Sequence, residues 1–63
     1  MKIIKHKNGY WLIIDTNVFI NFDRYEVMPT TIDLYLGNNV SSIIYSEQKT
    51  EFFKAWRAML CSQ

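Results

Sequence analysis

One amphipathic stripe near the C-terminus limits what this chain can fold into. In Ser46 to Leu60, SEQKTEFFKAWRAML, the residues Phe52, Phe53, Trp56, Met59 and Leu60 recur at i, i+1, i+4, i+7 and i+8. That spacing lines one face of a helix. Ser46 is placed to cap its N-terminus, and Glu47 puts negative charge in the first turn, where the helix dipole favours it. Glu51 can pair with Lys54 at i+3. A helix of about fourteen residues is marginal alone in water. It needs a surface to lie on, and the preceding residues must supply one.

Those residues read as short strands and turns. The opening KIIKHKNGYWLII has the grammar of a β-hairpin, with Asn8-Gly9 supplying the positive-φ positions of a tight turn. Tyr10 to Ile14 is apolar throughout, so it is expected to be central and covered on both faces. Asp15-Thr16-Asn17 breaks it with turn chemistry, and Val18 to Phe22 then alternates. A short strand around Tyr25 to Met28 ends at Pro29, which has no N–H for a ladder. Thr31 to Leu36 alternates with Ile32, Leu34 and Leu36 on one side. Gly37-Asn38-Asn39 is a second turn, and Val40 to Tyr45 returns antiparallel into the helix. The expectation is an α+β fold: a small antiparallel β-meander of four to five strands followed by one C-terminal amphipathic helix packed on the sheet. It forms a single domain over 1–63, with the sheet at about 2–45 and the helix at about 46–60.

Length and charge narrow the functional classes. A chain of 63 residues buries only about 60% of its unfolded surface, so it needs a dense core, a staple or self-association. Its one cysteine, Cys61, cannot form an intrachain disulfide, and no Cys/His set has the spacing of a structural zinc. Four Tyr, four Phe and two Trp are available for a core or a contact surface. The net charge of +1 gives no polyelectrolyte argument for nucleic acid. Lys2, Lys5, His6 and Lys7 cluster at the N-terminus, where lysines guard an edge strand against aggregation. No apolar run reaches the roughly 18 residues of a membrane span, and no signal peptide is visible. A cytoplasmic location and no membrane association are therefore expected.

Counting faces points to the surface that matters. One helix covers about one face of a sheet, here assigned Leu12, Ile14, Val18, Ile20, Ile32, Leu34 and Leu36. Trp11, Ile13, Phe19, Tyr35 and part of Ile43, Ile44 and Tyr45 are left pointing the other way. That is a larger aromatic patch than soluble monomers usually tolerate, unless the sheet twists enough to bury both faces on itself. The candidate partner or dimer interface residues are thus Trp11, Ile13, Phe19, Tyr35 and Tyr45, with Trp56 joining them if the helix swings out.

The expected function is a small non-enzymatic protein–protein interaction module acting as a homodimer on a protein target. A composition rich in Ile, Lys, Asn and Tyr suits a phage or mobile-element inhibitor of a host or defence protein. The alternative is a nucleic-acid-binding regulator using the basic N-terminus with Trp11 and Trp56 as stacking platforms. No catalytic, cofactor-binding or metal-ligating residues are assigned. His6 is the one histidine and sits among lysines. Gly9 and Gly37 are the only glycines, both explained by turns, so there is no phosphate loop.

Two resemblances add to this. Leu12 to Asn21, LIIDTNVFIN, resembles the opening of the PIN-domain nucleases, in which an apolar strand ends in an Asp-Thr-Asn-type turn before a helix. The resemblance covers about ten residues. It implies a metal-binding role for Asp15 and a third reading, a metal-dependent PIN-like nuclease fragment. That chemistry needs several carboxylates converging on Mg²⁺ or Mn²⁺, and after Glu47 and Glu51 the chain has no further acid. The order of Asn8-Gly9, Tyr10 to Asp15, Thr31 to Leu36, Gly37 to Asn39 and the helix from Ser46 is similar to the small flagellar FlbD-type proteins. That similarity implies the meander-then-helix architecture and no particular function.

Overall fold

A computed structural model describes residues 1–62; Gln63, the last position of the expected domain, lies outside the described residues. The chain runs β1 (Lys2–His6), β2 (Gly9–Asp15), β3 (Val18–Phe22), β4 (Arg24–Val27), β5 (Thr31–Leu36) and β6 (Asn39–Tyr45), then a 3₁₀ turn (Ser46–Gln48) and α1 (Lys49–Cys61). The α+β class and the closing helix stand as expected. The strands number six rather than four to five, and they form two three-stranded antiparallel sheets, ordered β1-β2-β3 and β4-β5-β6.

The division into two sheets comes from one residue. Asp23 alone separates β3 from β4, and the chain bends there from the first sheet into the second. Its backbone N–H donates to Tyr35 O at 2.7 Å. Its carboxylate accepts from Gly37 N–H at 2.8 Å and from the Arg24 guanidinium at 2.9 Å, while Arg24 also donates to Gly37 O at 2.8 Å. The corner is therefore tied to the β5–β6 turn, where Gly37 takes the positive φ (+61°) that suits glycine. Local sequence shows turn chemistry at Asp23. The partners that fix the bend lie more than ten residues away.

The first turn sits one residue earlier than expected. β1 pairs with β2 through His6↔Gly9 and Ile3↔Leu12, so the turn residues are Lys7 and Asn8, and Lys7 holds φ +49°. A turn at Asn8-Gly9 would set Lys5 opposite Leu12, in the core. Burying Ile3 there instead is worth about 1.5–3 kcal/mol, which exceeds the roughly 1–2 kcal/mol of a left-handed non-glycine residue. Gly9 is needed for a different reason: a Cβ on it would stand 2.8 Å from Phe22 O on the neighbouring strand.

The core is shared among three elements of structure. Ile3, Leu12 and Phe22 come from the first sheet, Ile32, Leu34 and Ile44 from the second, and Phe52, Ala55 and Met59 from α1. Tyr25 meets Phe52 edge-on at 5.4 Å and Trp56 edge-on at 4.9 Å, and Phe22 lies 6.2 Å from Phe52. Edge-to-face pairs of this kind add about 0.5–1.5 kcal/mol each beyond area burial. The helix thus closes a cleft between two sheets and does not simply cover one face of a single sheet.

Several inward assignments fail at the ends of strands. Ile14 has no cross-strand partner because the β2–β3 register shifts between Ile13 and Asp15, and the resulting bulge turns it out to solvent. Val18 and Leu36 lie at strand ends beside hairpin turns and are likewise exposed. Nor is β2 covered on both faces: it is central, but Trp11 and Ile13 are only half-buried on its outer side.

The helix also starts later than its sequence implies. Ser46 donates to Glu47 Oε2 at 3.2 Å and makes no cap bond to the helix, whose N-cap position is Gln48. The start is held by Lys49 Nζ, which donates to Met28 O at 2.6 Å and Pro29 O at 3.2 Å in the β4–β5 turn. The buried stripe is Phe52, Ala55 and Met59, with Phe53 and Trp56 flanking it and Leu60 exposed.

Candidate interaction surface

The side of each sheet facing away from the core follows from the pairing registers. Across the first sheet the outward rows are Lys2–Ile13–Phe19 and Ile4–Trp11–Asn21, ending at His6 beside Gly9. The inward rows carry Ile3, Leu12 and Ile20, then Lys5, Tyr10 and Phe22. Ile4, Trp11, Ile13 and Phe19 therefore form one apolar patch. Ile4 is 42% exposed and Phe19 57%, so both present apolar surface to water. Lys2, His6 and Asn21 flank the patch, and the His6 ring lies 6.5 Å from Trp11.

The outer side of the second sheet differs in chemistry. Its rows are Arg24–Tyr35–Val40, Glu26–Asp33–Ile43 and Thr31–Tyr45. The Arg24 guanidinium lies over the Tyr35 ring at 5.2 Å, a cation–π contact. Glu26 and Asp33 face each other across the ladder as like charges, an unfavourable pair, and Thr31 Oγ1 donates to Asp33 Oδ1 at 3.0 Å. Val40, Ile43 and Tyr45 are exposed along β6.

The candidate residues named from the sequence thus fall in three places. Trp11, Ile13 and Phe19 share the outer face of the first sheet. Tyr35 and Tyr45 stand on the outer face of the second, whereas Ile44 points inward and is buried. Trp56 lies off both faces, with Tyr10 and Tyr25 each 4.9 Å from it. Ile4 and Val40 join these two outer faces as residues beyond the sequence-named candidates. Ile4 could have been found by pairing β1 with β2, which puts it beside Trp11.

The Asp15 segment is a hairpin turn. Asp15 pairs with Val18, its Oδ1 accepts from Thr16 N–H at 2.7 Å, and the chain returns as β3 with no helix following. Among the described residues no group of three or more His, Cys, Asp and Glu side chains is placed to hold a metal ion, and no polar or charged side chain is buried. No helix among the described residues is long and apolar enough to cross a membrane. The chain matches no protein-family model, no curated protein and no solved structure, so a functional reading rests on this geometry.

Proposed function

We propose that the chain is a small non-enzymatic protein–protein interaction module that acts as a homodimer, and inhibits a protein target by occupying its surface. The observation that supports this is the uncovered patch of Ile4, Trp11, Ile13 and Phe19 on the first sheet. Four large apolar side chains side by side with a polar rim have the anatomy of an interface core. A two-fold dimer uses one self-complementary patch on both copies, and the net charge of +1 sets little repulsion between them. An origin in a phage or mobile element belongs to the same reading and rests on size and composition.

Affinity capture from a host lysate, with and without nuclease treatment, tests the target. The expected result is a protein partner that survives nuclease and is lost with Phe19→Asp, a substitution at an exposed position. Capture that is abolished by nuclease would favour a second reading. Lys2 and His6 stand on the same face as Trp11, which is the combination a single-stranded nucleic acid uses for charge and stacking. Binding of that kind weakens steeply with salt.

A further inference from the structure

β1 is the outside strand of the first sheet and pairs with β2 alone. Its free edge does not face open solvent on both sides, because α1 runs alongside it. Adjoining hollows follow the seam between the two, from Met1 and Glu51 at one end to Lys5 and Ser62 at the other. The central hollow, about 280 Å³, lies between Ile3 on the strand and Ala55, Ala58 and Met59 on the helix.

The backbone of β1 is set to use that space. A two-residue turn closing on the His6–Gly9 pair makes alternate residues bond across the hairpin. The N–H and C=O groups of Ile3 and Lys5 then face the free edge. A segment added along this edge would place the side chain opposite Ile3 on the inner side, in the hollow against Ala58 and Met59. Side chains opposite Lys5 and Lys2 would meet ammonium groups, on the inner and outer sides respectively.

Charge selects the occupant. β1 and its turn carry Lys2, Lys5, His6 and Lys7 and no acid. On the helix side of the seam Lys54 and Glu51 stand together at the Met1 end and offset each other, so the excess positive charge lies along the strand. A second copy pairing edge to edge would set the lysines of the two β1 strands against one another, which is how edge lysines prevent self-association. We propose that this groove takes an extended acidic segment of a partner protein, added to β1 as a fourth strand, with one aliphatic side chain in the hollow and acidic side chains opposite Lys2 and Lys5. Main-chain bonds supply the affinity and the hollow and lysines the selectivity, as in other strand-addition complexes. The groove adjoins the outer patch at Lys2 and Ile4 but does not include Trp11 or Phe19, and it does not rest on dimer formation.

The test is a fluorescein-labelled peptide, Asp-Val-Glu-Leu-Glu-Val-Asp, followed by anisotropy and by amide chemical shifts of the full chain. The expected result is saturable binding at submillimolar peptide, with shifts at Ile3, Lys5 and Ala58. Ala58→Phe, at an exposed helix position, fills the hollow and weakens binding about tenfold or more, as does N-methylation of the peptide backbone. Lys2→Glu with Lys5→Glu reverses the preference toward a Lys-for-acid peptide. The proposal is overturned by no binding at millimolar peptide or by equal binding of the Lys peptide. Shifts that map to Trp11 and Phe19 would overturn it too, as would concentration-dependent shifts at Ile3 and Lys5 without peptide, which would mark a second copy in the groove.

Discussion

At the β1–β2 turn, Lys7 holds a φ of +49° that asparagine or glycine holds more readily. The strain is tolerated because the resulting register brings Ile3 opposite Leu12. Lys7→Asn should therefore stabilise the fold by about 0.5–1 kcal/mol, seen as a rise in Tm of roughly 2–8 °C in a thermal melt. An unchanged or lowered Tm would show that the turn is not strained. Gly9→Ala acts the other way, since its Cβ meets the Phe22 carbonyl at 2.8 Å and backbone cannot easily move aside. A loss of about 1–3 kcal/mol is expected, measured by urea denaturation. Residue alternation was enough to place Trp11, Ile13 and Phe19 on the outer side of their sheet. It was not enough for Ile14, because a bulge has no local marker in an all-apolar run.

Among the elements, Asp23 ties the bend between β3 and β4 to the second sheet by its hydrogen bonds to Tyr35 and Gly37. Its ion pair with Arg24 is largely solvent-exposed on the arginine side and contributes little. The bond from Gly37 N–H to its carboxylate holds the β5–β6 turn. Asp23→Ala should cost about 1–2 kcal/mol, and Asp23→Asn, which keeps an acceptor, clearly less. Equal losses for the two would assign the effect to charge instead of the bond. At the helix, Ser46→Ala should change stability by less than the roughly 1 kcal/mol of a true N-cap, because the Ser46 hydroxyl bonds to the Glu47 side chain and to no helix N–H. Lys49→Met, which removes the contacts to Met28 and Pro29, should cost more. The helix itself was legible from the spacing of Phe52, Phe53, Trp56 and Met59. Its true start was not, since the residue that pins it bonds to a turn some twenty positions earlier.

For the whole molecule, three elements of structure share one core, and none of them has a core of its own. A chain of this length has a total stability of roughly 3–9 kcal/mol, and Phe52→Ala removes about 3–5 kcal/mol of it, so that variant should lose about a third or more of its stability, measured by urea denaturation followed by circular dichroism. The meander followed by a helix could be read from alternation and turn residues. The split into two sheets could not, because Tyr35 and Gly37 create it from a distance. That split matters for function: it divides the exposed aromatics between two outer faces, and only the first gathers Ile4, Trp11, Ile13 and Phe19 into one patch. Sedimentation equilibrium of the chain and of Phe19→Asp at micromolar concentration tests the central proposal most directly. A dimer for the parent and a folded monomer for the variant is the result predicted here, and a monomeric parent across that range would contradict it.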